Sequence, residues 1–236
     1  MSIVKVIGIV TDHRNTMISN LVFILLKQIG YNVALINDSL IKINEHVVEK
    51  KSINDNSIKK FFVEEEKIDY IILDNFQIEK LYKLIGEFKI DALIDDQRND
   101  KNKLDKEICA IKKGLLNKLR RNGTCIINSE NRALNNYFDS LQDKIIITYG
   151  LESKSTITAS SLDIDEIISF NCCIQRGLTT LRGNEIEQME FPIKIRYYDD
   201  FNIYDFLALI GIALIYEIPV ESIRQIIYRV DTKNFD

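Results

Sequence analysis

The chain has 236 residues, 46% of them hydrophobic and 28% charged, with a formal net charge of -4. That length buries a sizeable core as one large domain, and the composition is that of an ordinary globular protein. The acidic balance argues against a nucleic-acid partner, which needs a basic surface, and no apolar run reaches the roughly 18 residues of a membrane span.

Ile3–Val10 is a near-continuous apolar run rich in Ile and Val, the pattern of a strand buried on both faces of a parallel sheet. The chain enters it directly, without a signal-peptide layout, which predicts a cytoplasmic protein. A polar turn follows, Thr11-Asp12-His13-Arg14-Asn15-Thr16, and then a helix over Thr16–Ile29 that Gly30 stops. The segments "YNVALI" (31–36), "DYIIL" (69–73) and "DALID" (91–95) read as further strands, the last two separated by the helical "FQIEKLYKLIGEF". A long charged helix is expected at about Lys103–Arg121, ended by Asn122-Gly123. The strand "TCIIN", the short helix "ENRALNNYF" and the strand "KIIITYG" follow. Strands alternating with helices predict a doubly wound, mostly parallel α/β sheet with helices on both faces.

The pattern changes after Gly150. From Ser155 to Arg196 the segments "EIISFNCCIQRG" and "EIEQMEFPIKIR" are β-rich and read as antiparallel edge strands or a small sheet packed on the main one. Two helices close the chain, "NIYDFLALIGIALIYEI" and, after Pro219, "VESIRQIIYRV". There is no internal repeat and no linker. We therefore expect one domain over 1–236, with a parallel core at about 1–150, a β-rich extension at about 151–197 and terminal helices at about 200–230.

The cysteines are Cys109, Cys125, Cys172 and Cys173, with no C-x-x-C pair. They read as reduced, mostly buried thiols, with Cys172 and Cys173 on opposite faces of a strand. His13 and His46 are the only histidines, a poor supply for a histidine metal site or triad.

The stretch Val6–Asn20 has the layout of a phosphate-binding loop, but its turn holds no glycine and no lysine. Glycines let the backbone approach phosphates, and lysine supplies charge to them. The residues admit two readings, a helix end capped by Asp12 or Asn15, or an anion cradle made from the helix amides. Asp74 and Asp95, at strand ends, likewise read as solvated caps or as metal ligands.

The order of pieces resembles the central, ATP-binding domain of the Mur ligases. These enzymes, with the folylpolyglutamate and cyanophycin synthetases, join an amino acid to a carboxylate through an acyl phosphate. Ile7-Gly8-Ile9 and Ser19-Asn20-Leu21 match the family's opening I-G-I-T-G-T-N-G-K-T-T-T-S-N-L. "LRRNGTCIINSENRALNNY" resembles L-x-x-x-G-x-x-V-I-N-x-D-D-P, and "ITYGL" resembles V-I-T-Y-G. "DDFNIYDFLALIGIALIYEIPVESI" resembles G-x-F-N-V-Y-N-x-L-A-A-x-A-x-A-x-x-L-G-I-P-x-E-x-I, the most specific match. The resemblance covers nearly the whole chain. It also implies that the family's N-terminal and C-terminal domains are missing, since the chain opens at the central domain's first strand and stops at "VDTKNFD".

Carried over residue by residue, the resemblance puts the family's loop glycines on Thr11 and Arg14 and its lysine on Asn15. Asp12 and His13 fill the rest of the loop, and Thr16 stands where a threonine touches magnesium. Asp74 falls on an acid that holds magnesium, and Lys112 on the lysine that is carbamylated to hold a second one. Asn202 falls on an asparagine near the adenine, and Asp205 on the second asparagine of N-x-Y-N. The family's histidine after "DALI" has no counterpart in "DDQRNDKNKLD". The cofactor-binding residues so implied are Asp12, His13, Arg14, Asn15, Thr16 and Asn202, and the metal residues Thr16, Asp74 and Lys112, all as remnants. No catalytic residue and no cofactor is expected.

The function so implied is that of a catalytically inactive Mur ligase-like protein, a scaffold, partner subunit or regulator of the kind of chemistry that builds bacterial cell walls. A protein partner or a homodimer is expected. The alternative is a subunit of an ATP-dependent amino acid ligase that binds ATP and Mg²⁺ and completes its site with another chain. With a neighbouring domain absent, the terminal helices, carrying Phe206, Leu209, Ile210, Ala213 and Leu214 at helical spacing, are expected to expose an apolar patch.

Overall fold

The structure is a computed structural model that describes residues 4–11, 17–37, 40–49, 68–74, 89–96, 116–131, 141–196 and 201–230. Its strands are β1 (Lys5–Thr11), β2 (Val33–Ile36), β3 (Ile41–Ile43), β4 (His46–Glu49), β5 (Tyr70–Asp74), β6 (Ile90–Asp96), β7 (Leu119–Asn128), β8 (Ile145–Tyr149), β9 (Ile157–Asp163), β10 (Ile167–Ile174), β11 (Leu178–Thr179), β12 (Glu185–Ile186) and β13 (Met189–Arg196). Its helices are α1 (Met17–Gln28), α2 (Ile203–Ile215) and α3 (Val220–Arg229). Eleven of the described strands form one sheet, in the order β13-β10-β9-β8-β7-β6-β1-β5-β2-β3-β4. From β2 through β5, β1, β6 and β7 to β8 the neighbours run parallel.

The apolar runs of the parallel strands divide cleanly by alternation. Ile7, Ile9, Ile72, Ala92, Ile94 and Ile126 join the core that holds α1, α2 and α3. Val6, Val10, Ile71, Leu73, Leu93 and Ile127 join a second core on the opposite face. A strand covered on both faces has no polar position to spare, which is why these segments read as continuous hydrophobic runs. Among the described residues no helix is long and apolar enough to cross a membrane.

Most predicted strands stand within two residues of their expected ends. The exception is the helix expected through Arg121. In its described part there is one helical turn at 116–118, and the chain is a strand from Leu119 onward. Leu119 pairs with Ile90 while Thr124 pairs with Ala92, so five steps on β7 face two on β6. Asn122, with φ of 59°, turns the chain inside this bulge. The Asn-Gly signal therefore marks a β-bulge rather than a helix stop, because Leu119 is buried between strand neighbours. The rest of that helix, the helix between β5 and β6 and most of "ENRALNNYF" lie outside the described residues. The β3–β4 hairpin, turning at Asn44 with φ of 48°, has no counterpart among the predicted elements.

Beyond β8 the strands β9, β10 and β13 are antiparallel. They extend the main sheet through a single parallel register pair, Tyr149 with Ile157, so the edge-strand reading holds. The two-stranded β11–β12 hairpin stands apart. Cys172 is buried and Cys173 half-buried, on opposite faces of β10. The open edge of β13 is blunted in two ways. Pro192 offers no N–H there, and its carbonyl accepts from Arg224 Nε at 2.9 Å.

The residues expected to form an exposed apolar patch on the terminal helices, Phe206, Leu209, Ile210, Ala213 and Leu214, are instead buried. Twelve of the thirteen residues of α2 are buried, and Phe206, Leu209, Ile210 and Ala213 are each 0% exposed. The helix lies against α1, β7, β8, β9 and α3 and is apolar all round, as an interior helix must be. Gly211 permits its close approach to the sheet, since a Cβ there would stand 3.2 Å from Ile157 Cδ1 and 3.4 Å from Ile126.

The C-terminus of α2 is a Schellman motif, with Ile218 N–H bonded to Ala213 O and Glu217 N–H to Leu214 O, each at 2.9 Å. Glu217 takes the left-handed position, φ of 61°, where the motif that this chain resembles has glycine. Its side chain holds the strain. It accepts from Thr180 Oγ1 and Asn184 Nδ2, both at 2.7 Å, and from Arg182 at 3.1 Å, fastening the β11–β12 hairpin to the helix end. The Thr180 and Asn184 hydrogen bonds, with Arg182 beside them, hold the Glu217 carboxyl below its ordinary value of 4.5. A depressed folded-state value means stability that is present above the unfolded value and lost as pH falls through the folded one. Glu217→Gln is therefore expected to unfold at a lower temperature than the parent at neutral pH. The gap should shrink as thermal unfolding is repeated at pH values descending through and below 4.5.

Candidate functional site

Open α/β sheets bind ligands outside the carboxyl ends of their strands, where the strand order reverses. Here that place is the end of β1, which lies between β5 and β6. The register sets Ile9 beside Asp74, Val10 beside Asp95 and Thr11 beside Asp96. Three carboxylates so converge around one strand end, and all three are buried, at 4%, 4% and 5% exposure. Alternation puts Asp74 and Asp96 on the α1–α2 face and Asp95 on the other.

Each carboxylate accepts from a neighbouring neutral group. Ser19 Oγ on α1 donates to Asp74 Oδ2 at 2.7 Å. Tyr149 OH at the end of β8 and Asn128 Nδ2 at the end of β7 both donate to Asp96 Oδ1, at 2.6 and 3.1 Å. Asn131 Nδ2 donates to Asp95 Oδ2 at 3.2 Å. Asn128 also accepts from Glu130 N–H at 3.0 Å, which shapes the turn after β7, and Glu130 Oε1 accepts from Tyr204 OH on α2. Gly150 follows Tyr149 with φ of 148°, and a Cβ there would lie 2.3 Å from Ser129 Oγ. The backbone conformation favours glycine here, and any Cβ would require the Ser129 hydroxyl to turn away.

Of the residues singled out in the sequence, Asp74 and Asp95 lie at this edge. Asn202 sits at the start of α2, where its side chain accepts from Tyr204 N–H at 3.2 Å and donates to Asp205 Oδ1 at 3.2 Å. That is an N-cap. Asp12, His13, Arg14, Asn15, Thr16 and Lys112 lie outside the described residues. Sequence reasoning did not single out Asp96, Asn128, Asn131, Tyr149 or Tyr204 as site residues. Their signal was positional, since each ends a strand or opens a turn or helix at the carboxyl edge.

Chemically, the edge offers buried carboxylates, each with one oxygen engaged by hydroxyl or amide donors. Its strand-terminal side chains are Thr11, Asp74, Asp96, Asn128 and Tyr149, without a cation among them. Among the described residues no group of three or more His, Cys, Asp or Glu is placed to hold a metal ion. Tyr149→Phe keeps the ring in the core but removes a donor from a buried carboxylate. It should lower stability by about 1–3 kcal/mol in denaturant unfolding, the cost of leaving a buried acceptor short of its partner.

No family model matches this chain, and no curated protein matches it. Solved structures do. One is a UDP-N-acetylmuramoyl-L-alanyl-D-glutamate–2,6-diaminopimelate ligase, with TM-score 0.74 and 15% identity over 97% of this chain and 46% of that one. Another is the MurF ligase of Thermotoga maritima in complex with ADP, with TM-score 0.67 and 10% identity over 97% and 49%. A third is the folylpolyglutamate synthase of Thermotoga maritima, with TM-score 0.63 and 12% identity over 97% and 58%. The chain thus spans about half the length of the Mur ligases that it matches. At such identities the likeness is one of fold, and the fold is that of the Mur ligase central domain.

Proposed function

We propose that this chain is a Mur ligase-like protein that does not catalyse ligation, and that it acts as a scaffold, partner subunit or regulator on a nucleotide-binding fold. The observation that carries this reading is the engaged state of the carboxyl edge. Asp74, Asp95 and Asp96 are bonded to Ser19, Asn131, Tyr149 and Asn128, so the edge is organised to hold the sheet together. These bonds fall on Asp74 Oδ2, Asp95 Oδ2 and Asp96 Oδ1. The loop sequence supports the same reading. Asn15 stands where the motif that the chain resembles has the phosphate-binding lysine, Thr11 and Arg14 stand at its glycines, and Asp12 adds like charge. ATP–Mg²⁺ does not fit these residues.

Calorimetric titration with ATP and Mg²⁺ is expected to show no specific binding at micromolar protein, and thermal unfolding no shift. A ligand at a hundred times its dissociation constant would add about 2.7 kcal/mol of stability. A low-micromolar dissociation constant overturns this reading in favour of the ligase subunit. The combined variant Thr11→Gly, Arg14→Gly and Asn15→Lys restores a bond to phosphate of about 1.5–3 kcal/mol, and should strengthen nucleotide binding roughly tenfold to a hundredfold. An unchanged titration would place the loss beyond the loop, at the carboxyl edge itself.

A further inference from the structure

One corner of the antiparallel extension gathers much of the exposed apolar surface of the described residues. Leu162, Ile164 and Ile167 are 42%, 56% and 44% exposed at the turn between β9 and β10, and Tyr228 of α3 is 38% exposed. The turn reads "SLDIDEI" over 161–167, with three acids and no base. Asp163, Asp165 and Glu166 form no ion pair among the described residues. A bulge aims this tip. Ser169 pairs with Asp163 but Asn171 pairs with Ser160, so β9 carries an extra residue, and Ser161 takes φ of 53° within it. A non-glycine residue in that region is strained, and such strain persists where a local geometry is worth holding.

Beside the tip lies its chemical complement. A shallow groove of about 380 Å³ runs between β13 and α3, lined by Ile167, Pro192, Lys194, Glu221, Arg224 and Tyr228 with Gln225. Ile167, Pro192 and Tyr228 supply its apolar surface, and of its charged residues two are basic, Lys194 and Arg224, against the one acid Glu221. Lys194 forms no ion pair among the described residues. The Arg196 guanidinium stands 5.3 Å over the Tyr228 ring. Arg224 is fixed by Glu221 at 2.8 Å and by the Pro192 carbonyl, so the groove keeps its shape.

We propose that the occupant of this groove is the acidic tip of a second copy of this chain, the two copies meeting across a two-fold axis. An apolar, acidic projection and an apolar, basic recess adjoin on one surface, sharing Ile167. A two-fold operation then seats each tip in its partner's groove at once and closes the assembly. Pairing of the β13 edges does not supply this contact, because Pro192 and Arg224 obstruct the ladder. The proposal goes beyond the functional reading above and does not depend on it. None of the residues involved lies at the carboxyl edge, and nucleotide titration leaves it untouched.

Sedimentation over a wide concentration range should show a species of twice the 27.4 kDa chain mass, dissociating more readily at high salt. Ile164→Asp, at an exposed site, should weaken the dimer by at least about tenfold. Lys194→Glu should weaken it too, and adding Asp165→Lys to Lys194→Glu should restore it. The charge pair provides an arm that does not depend on how the Ile164 variant folds. A wild-type chain that is monomeric at every concentration overturns the proposal. So does an Ile164→Asp chain that dimerises like the parent, or a charge-swapped pair that gains nothing over Lys194→Glu alone.

Discussion

The larger core among the described residues is arranged around the burial of α2. Its apolar sequence gives water no face, so the sheet, α1 and α3 must together enclose it. The helix spans two kinds of strand, touching parallel β7 and β8 as well as β9 of the antiparallel extension. At Gly211 the helix sits close enough for Ile126 and Ile157 to pack on its backbone. The hydrophobic gain from such a helix is non-directional, and the direction comes from its ends. Asn202 fixes the start, and the Schellman turn with Glu217 fixes the finish against the β11–β12 hairpin.

At the carboxyl edge the polar groups are turned toward one another. Burying a carboxylate without partners is costly, and three together would be more so. The chain meets that cost with hydroxyls and amides drawn from α1, β7, the turn after β7 and β8. These donors come from three separate stretches of sequence, at Ser19, Asn128–Asn131 and Tyr149, so the network also fixes how those stretches lie relative to each other. On the proposed reading, groups that would address a ligand in a binding protein serve here as internal fastening.

Much of the fold was legible in the sequence. Strands buried on both faces announce themselves as Ile/Val runs, and β1, β5 and β6 have no competing pattern. The extension was legible from its change of period after Gly150. What misled was Asn122-Gly123, because the same dipeptide ends helices and forms bulges, and only the pairing of Leu119 with Ile90 decides between them. The terminal helix misled for a related reason. An apolar segment is equally an exposed interface or an interior helix until its neighbours are known, and the neighbours of α2 come from strands up to some 90 residues earlier in the chain. At the edge, Asp74 could be found from a strand end alone. Asp96 and Tyr149 could not be recognised as partners, because their contact joins residues 53 apart through a register that no local pattern encodes.

The seam between β8 and β9 rests on one register pair, Tyr149 with Ile157, while the neighbouring seams run for five pairs or more. The sheet is thus two plates joined at a narrow weld, and α2 lies across that weld as a splint. Tyr149 stands on the weld line and carries the hydroxyl that grips Asp96. Among the described residues one side chain thus belongs both to the weld and to the network around the buried acids, so the seat of the antiparallel plate and the geometry of Asp96 share a support.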